Sequence, residues 1–167
     1  MRRCGRLGSL VADLFVAFGA RVLVHDPYVA DEALPVGAEA VSLEELLGAS
    51  RIVSIHVDWR PENERMVDAD VLAQMQPGAF LVNTARGELV DEAALIAALA
   101  KGRLGGVALD VVPDEQRCGG PSEALIEAVR AHPRSILSPH TGGCTYESMH
   151  RTEAFMAAKL KSWSERA

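Results

Sequence analysis

The sequence predicts an α/β fold built on a doubly wound parallel sheet, and two observations support that prediction. Short apolar runs rich in strand-forming residues alternate with helical segments along the 167 residues, as in sheets whose parallel strands are joined by right-handed crossovers. The runs are apolar on both faces, which is typical of parallel strands covered by helices on both sides. The predicted strands span residues 21–26, 52–57, 79–84, 106–110 and 135–138.

Helix-capping residues mark the segments between these strands. Ser42, with Glu45 three residues later, forms a capping box for a short helix that ends near Gly48. Asp91 is placed to cap a helix over 92–101, and Gly102 is placed to end it. The other predicted helices span 9–18, 68–75, 122–131 and about 146–163.

Composition narrows the class of protein. A hydrophobic fraction of 49% argues against a disordered chain, and 17 basic against 23 acidic residues argue against a nucleic-acid partner. No apolar run is long enough to span a membrane, and Asp13 interrupts the apolar stretch that could suggest a signal peptide. The cysteines, Cys4, Cys118 and Cys144, are too scattered for a disulfide framework or a metal site. We therefore expect a cytoplasmic protein whose residues 1–167 form one domain.

A glycine turn near the N-terminus predicts a dinucleotide site. Gly5 and Gly8 match the second and third glycines of the G-x-G-x-x-G pattern, although Arg3 occupies the first position. Asp26 follows at the distance expected of the carboxylate that binds the adenosine ribose, and no basic residue comes directly after it, which favours NAD over NADP. The alternative is a pair of glycines with no ligand. The implied contacts include Arg6 and Leu7 between the glycines and Pro27 after Asp26.

The strand that should precede this turn is missing from the sequence. Such a strand needs about five or six apolar residues, and little beyond Met1 and Arg2 precedes the turn. In the doubly wound order this strand lies at the centre of the sheet. We therefore expect the chain to be a shortened form of a longer protein or to depend on a partner strand.

Three motifs resemble one enzyme family in the same order along the chain. They are VNTARGELVDEAAL at 82–95, GGVALDV at 105–111 and SPHTGG at 138–143. From about residue 4 to 146 the sequence resembles the Rossmann-like NAD-binding domain of the D-2-hydroxyacid dehydrogenases, which include D-3-phosphoglycerate and D-lactate dehydrogenases. In that family an N-terminal substrate-binding lobe, which has no counterpart in this sequence, precedes the cofactor domain.

The resemblance implies three catalytic residues. Arg86 matches the arginine that binds the substrate carboxylate, and His140 matches the histidine that exchanges a proton with the substrate oxygen. Glu115 matches the carboxylate that orients this histidine and stabilises its charged form. Gln116 replaces the proline usual in the family, and an insertion at about 116–122 follows, which could displace Glu115.

The resemblance also extends the cofactor site along the sequence. Asp110 matches the family's aspartate near the nicotinamide end of the cofactor. Two other residues receive structural interpretations: His56 as a packed histidine, and Cys144 as a cysteine without a nucleophilic role. The remaining implied cofactor contacts are Val57, Thr84, Ala85, Arg86, His140, Gly142 and Gly143.

Together these features predict an oxidoreductase that transfers a hydride between NAD(H) and a D-2-hydroxy acid/2-oxo acid pair. The chain would be its cofactor-binding half, expected to be inactive alone and to form a homodimer. The alternative prediction is a non-catalytic NAD-binding fragment or regulatory module.

Overall fold

The computed structural model describes residues 5–28, 34–115 and 121–165, and its strands are all parallel. Within these residues the strands form a two-stranded sheet, β1-β2, and a four-stranded sheet, β3-β4-β5-β6. The predicted parallel α/β fold is therefore confirmed. The strands are β1 Val22–Val24, β2 Ala38–Ala40, β3 Ile52–Ile55, β4 Phe80–Asn83, β5 Gly106–Leu109 and β6 Ile136–Leu137.

The helices begin at residues that the sequence marks as caps. The Ser42 hydroxyl accepts a hydrogen bond from the Glu45 N–H at 3.1 Å, and the Asp91 carboxylate accepts one from the Ala94 N–H at 2.8 Å. These bonds satisfy N–H groups that a helix leaves without internal partners. The helices are α1 Arg6–Ala17, α2 Leu43–Ala49, α3 Ala69–Gln74, α4 Glu92–Ala100, α5 Glu123–Ala131 and α6 Tyr146–Ser164.

Two elements near the N-terminus differ from the prediction. Helix α1 begins at Arg6 rather than at residue 9, because Gly5 has the extended backbone of an N-cap residue. Strand β2 was not predicted, since its sequence, AEA, is short and mostly exposed. It pairs with β1, and the Arg21 and Glu39 side chains form a two-point ion pair beside this ladder, at 3.0 and 2.8 Å.

The hydrophobic core has two unequal parts. The larger part includes side chains from β3, β4 and β5 and from α2 to α5, with fully buried Leu46, Ile55 and Leu81 among them. The smaller part joins α1 to the two-stranded sheet through Ala12, Val22 and Val24. Helix α6 buries none of its side chains. No helix of the described residues is long and apolar enough to cross a membrane.

Gly105 offers a test of how tightly the four-stranded sheet is packed. A Cβ atom added at Gly105 would lie 2.2 Å from the Gly78 carbonyl oxygen, a backbone atom that cannot move aside cheaply. We predict that Gly105→Ala lowers the free energy of unfolding by about 1–3 kcal/mol, measured by urea denaturation.

Gly48→Ala is the matched control, because Gly48 lies in α2 and a Cβ atom there meets nothing within 4 Å. It should leave stability unchanged or raise it by up to about 1 kcal/mol, since glycine disfavours helix interiors. Equal unfolding midpoints for the two variants would contradict the close contact at Gly105.

Candidate active site

The predicted site residues follow the carboxyl ends of successive parallel strands. Val57 follows β3, Arg86 follows β4, Asp110 follows β5 and His140 follows β6. Since β3 to β6 run in the same direction in one sheet, these ends lie along one edge. Ligands of open α/β sheets bind outside that edge.

His140 and Glu115 are brought together despite their separation along the chain. The His140 Nδ1 atom is hydrogen-bonded to the Glu115 Oε1 atom. The other carboxylate oxygen of Glu115 lies 3.5 Å from the backbone N–H of Val112. Both side chains are partly accessible, at 32% and 21%. The contact fixes the Nδ1 side of the imidazole ring and leaves Nε2 as the ring nitrogen for another partner.

A buried carboxylate fixes the loop that carries His140. One Asp110 oxygen accepts hydrogen bonds from the Ser138 hydroxyl at 2.6 Å and from the Thr141 N–H at 3.0 Å. The other accepts one from the Gly142 N–H at 2.8 Å. Burial disfavours the charged form of Asp110, but these hydrogen bonds together outweigh it and lower the pKa of the carboxyl. Asp110 therefore links the end of β5 to the loop after β6.

The backbone of His140 has an uncommon conformation. Its φ of 52° lies in the left-handed region, which non-glycine residues rarely adopt. The His140 N–H donates to the Asp110 carbonyl oxygen at 2.9 Å and to that of Ser138 at 3.0 Å. Strained backbone of this kind persists where surrounding contacts hold it, and it is frequent at functional sites.

Arg86 extends from a loop that a buried amide supports. The Asn83 side chain donates to the Arg86 carbonyl oxygen at 2.8 Å and accepts from the Ala85 N–H at 3.0 Å. The Arg86 side chain is exposed and donates to the Ala85 carbonyl oxygen at 2.5 Å. Among the described residues, no hydrogen bond or ion pair joins Arg86 to His140. The two groups share the sheet edge.

The N-terminus of α1 is chemically suited to a phosphate group. Among the described residues no side chain caps its first turn, and no acidic residue lies in that turn, whereas each of α2 to α6 has both a capping side chain and an acidic residue. Gly5 is exposed, and a Cβ atom there would meet nothing within 4 Å, so a ligand can approach the backbone. The N–H groups and the helix dipole favour an anion at this position. The turn therefore fits a pyrophosphate.

The other predicted residues around this turn differ in exposure. Leu7 is 58% exposed, whereas Gly8 is buried in the first turn of α1. Asp26 follows β1 and accepts a hydrogen bond from the Tyr28 N–H at 2.9 Å, and Pro27 beside it is exposed. Nothing is described for the side chain of Arg6.

The remaining predicted cofactor contacts also differ in exposure. Thr84, Gly142 and Gly143 are exposed and Ala85 is half-buried, but the Val57 side chain lies in the larger core. Only its backbone can therefore face a ligand directly. The described residues contain no cluster of side chains able to hold a metal ion, and most of the insertion at about 116–122 lies outside them.

His56 follows β3 and is half-buried. Its Nε2 atom is 2.9 Å from the Ser54 hydroxyl, while its buried Nδ1 atom has no hydrogen-bond partner among the described residues. Burial lowers the pKa of His56, which favours the neutral ring. The structural role expected for His56 from the sequence stays a prediction. Cys144 is exposed.

Sequence reasoning missed three residues that hold the site together: Asn83, Ser138 and Thr141. Asn83 is 1% exposed, and it stands at the end of an apolar strand. A polar side chain in a buried position needs hydrogen-bond partners, so this placement was a usable signal. The hydroxyls of Ser138 and Thr141 gave no comparable signal, because their partner, Asp110, follows another strand.

Comparison with known proteins identifies the family. Residues 3–142 match the family model described as D-isomer specific 2-hydroxyacid dehydrogenase, NAD binding domain. The chain is 37% identical over 158 residues to D-3-phosphoglycerate dehydrogenase of Mycobacterium tuberculosis, covering 94% of this chain and 29% of that relative. It therefore spans less than a third of that relative's length.

Solved structures give the same result. The chain is similar to the NAD-complexed D-isomer specific 2-hydroxyacid dehydrogenase of Lactobacillus delbrueckii ssp. bulgaricus, with a TM-score of 0.85 and 29% identity, covering 98% of this chain and 52% of that one. It is also similar to D-lactate dehydrogenase with NAD+ from Lactobacillus jensenii, with a TM-score of 0.80 and 32% identity, covering 89% and 47%. The chain thus belongs to the D-isomer specific 2-hydroxyacid dehydrogenase family and comprises its NAD-binding domain.

Proposed function

We propose that this chain is the cofactor-binding half of an oxidoreductase that transfers a hydride between NAD(H) and a D-2-hydroxy acid/2-oxo acid pair. The observation that carries the proposal is the His140–Glu115 contact, held beside the Asp110-anchored loop at the sheet edge that Arg86 shares. An imidazole with a carboxylate behind it is a suitable proton donor and acceptor.

The acid–base step falls to His140. In reduction its Nε2–H donates a proton to the ketone oxygen, and in oxidation the neutral ring takes the proton from the hydroxyl group. Glu115, in contact with Nδ1, keeps Nε2 directed away from itself and stabilises the charged imidazolium. Glu115 is therefore a positioning residue, whereas His140 touches the reacting oxygen.

Arg86 binds the substrate carboxylate. Its exposed guanidinium offers the planar pair of N–H donors that matches a carboxylate, and Asn83 fixes the backbone from which it extends. Binding the carboxylate orients the neighbouring carbonyl toward the imidazole.

The cofactor supplies the hydride when bound. Gly5, Arg6, Leu7 and Gly8 hold its phosphates through the first turn of α1, while Asp26 and Pro27 hold the adenosine ribose. Toward the nicotinamide end we assign Val57, Thr84, Ala85, Arg86, Asp110, His140, Gly142 and Gly143. The alternative is a non-catalytic NAD-binding fragment or regulatory module. We also propose that the protein is cytoplasmic and forms a homodimer.

A domain exchange tests the catalytic assignment. Residues 5–165 replace the matching domain of the Mycobacterium tuberculosis relative, and oxidation of D-3-phosphoglycerate by NAD is followed by absorbance. We predict an active chimera in which His140→Asn lowers kcat about 10²–10⁴-fold, because the proton acceptor is lost. The chain alone should not turn over glyoxylate, hydroxypyruvate or 3-phosphohydroxypyruvate with NADH.

His150→Asn in exposed α6 is the matched control and should leave the rate of the chimera unchanged. A chimera that binds NAD but stays inactive would favour the non-catalytic module. An active chimera unaffected by His140→Asn would refute the role of His140, and turnover by the isolated chain that Arg86→Ala abolishes would refute its expected inactivity.

Asp26 provides a test of cofactor choice by binding alone. A carboxylate accepts hydrogen bonds from the ribose hydroxyls of NAD and repels the 2′-phosphate of NADP. We predict that calorimetric titration of the chain finds NAD the tighter ligand, and that Asp26→Ala reduces the preference at least about tenfold, roughly 1.4 kcal/mol. Asp70→Ala, at an exposed position of α3, is the control. Tighter binding of NADP by the unaltered chain would reject the assignment.

The lowered pKa of Asp110 predicts a pH dependence of stability. Its charged form contributes stability above the unfolded-state pKa of about 3.9, and this contribution is lost as the pH falls through the lower folded-state value. Asp110→Asn should therefore cost about 1–3 kcal/mol at pH 6 and progressively less below about pH 4. Urea denaturation between pH 3 and 6 measures this gap, with Asp70→Asn as control. A gap that does not change with pH would contradict the role of the charge.

A further inference from the structure

Gly87, the residue directly after Arg86, is buried against the backbone that leads to Glu115. A Cβ atom at Gly87 would lie 2.0 Å from the Val112 carbonyl carbon and 2.3 Å from the Pro113 nitrogen. These two atoms form one peptide bond, which cannot move aside as a flexible side chain would. The φ of Gly87 lies outside the left-handed region, so the close approach, and not the backbone conformation, requires glycine here.

Hydrogen bonds hold the turn over 86–90, which we call the Arg86 turn, on its other sides. The Asn83 side chain donates to the Arg86 carbonyl oxygen at 2.8 Å. The Arg65 N–H donates to the Glu88 carbonyl oxygen, also at 2.8 Å. Arg65 has a left-handed φ of 52°, a conformation that persists in non-glycine residues where surrounding contacts hold it. The Arg86 turn therefore cannot move without breaking these bonds.

On the other side of the contact lies the segment over 112–115, which we call the Glu115 segment. The Val112 N–H lies 3.5 Å from a Glu115 carboxylate oxygen, which is longer than the usual hydrogen bond of about 2.7–3.2 Å. Asp114 has a left-handed φ of 57°, which turns the chain just before Glu115. A shift of the backbone at Val112 is therefore passed within a few residues to the carboxylate that contacts Nδ1 of His140.

We propose that Gly87 is a positioning residue: because it has no side chain, the Arg86 turn packs directly on the Glu115 segment and sets where Glu115 meets His140. A methyl group at position 87 separates the two backbones, and the Glu115 segment moves because the Arg86 turn has the closer hydrogen bonds. The imidazole then loses the carboxylate that orients it, while the Arg86 guanidinium keeps its place. The catalytic consequence rests on the proposed function, whereas the contact itself does not.

NMR of the whole chain tests the contact without catalysis. Glu115→Gln gives the reference shift of the His140 imidazole resonances at a fixed pH. We expect Gly87→Ala to shift them at least about half as far, and to add little in the Glu115→Gln background, since both changes act through one contact. Gly105→Ala is the matched control, because its Cβ atom would meet the Gly78 carbonyl oxygen at 2.2 Å, before β5 and so at the opposite edge of the sheet. It should leave the resonances in place, and equal shifts in the two glycine variants would overturn the inference.

A second variant covers the case in which Gly87→Ala does not fold, which urea denaturation reports. Pro113→Gly adds no atom against Gly87 but frees the backbone φ that the proline ring fixes. The Glu115 segment then loosens, and the His140 imidazole resonances should shift in the same direction as in Glu115→Gln. Resonances that stay in place in Pro113→Gly would refute the role of the contact.

Kinetics of the chimeric enzyme test the consequence for catalysis. Gly87→Ala should lower kcat at least about tenfold and change the KM for D-3-phosphoglycerate less than about threefold, because the proton-transfer group is displaced and the carboxylate-binding group is not. Gly105→Ala should leave both constants unchanged. A raised KM with an unchanged kcat would mean that Arg86 moves instead, and would overturn the inference. If the chimera is inactive while the imidazole resonances shift as expected, the proposed function fails and the contact stands.

Discussion

Parallel pairing of the strands is the constraint on which the arrangement of the site depends. Because β3 to β6 run in one direction, the residue after each strand emerges at the same edge, however far apart these residues lie in the sequence. Arg86, Asp110 and His140 are neighbours for this reason. The helices between the strands determine how far apart these residues lie in the sequence, and the sheet determines how far apart they lie in the fold.

Two carboxylates behind this edge have different tasks. Asp110 is 7% exposed and directs its oxygens at backbone N–H groups and hydroxyls, so its charge fixes a loop. Glu115 is more accessible and directs one oxygen at an imidazole, so its charge acts on a titratable ring. The loop anchored by Asp110 holds His140 in a left-handed conformation. Rigid support of this kind is what a proton-transfer group needs to meet its partner in the correct geometry.

Much of this fold follows from local sequence signals. Ser42 and Asp91 marked helix starts because side-chain caps are local, and strands such as 106–109 were found because burial on both faces leaves a continuous apolar run. Strand β2 was missed because its pairing with β1, rather than its composition, makes it a strand. The resemblance placed Asp110 beside the cofactor. Its hydrogen bonds to Ser138 and Gly142 depend on the approach of β5 and β6, which no local pattern encodes.

The division of the core into two parts determines how the chain unfolds. The unit formed by α1, β1 and β2 has its own small cluster around Ala12, Val22 and Val24, and Leu23 of β1 joins it to the larger cluster, on which the four-stranded sheet rests. Regions with few buried apolar contacts open at lower free energy than the rest of a protein. Unfolding is therefore expected in two cooperative steps, with the α1 turn and Asp26 released before the edge that carries Arg86 and His140. A dinucleotide that reached from one unit to the other would join these steps into a single transition.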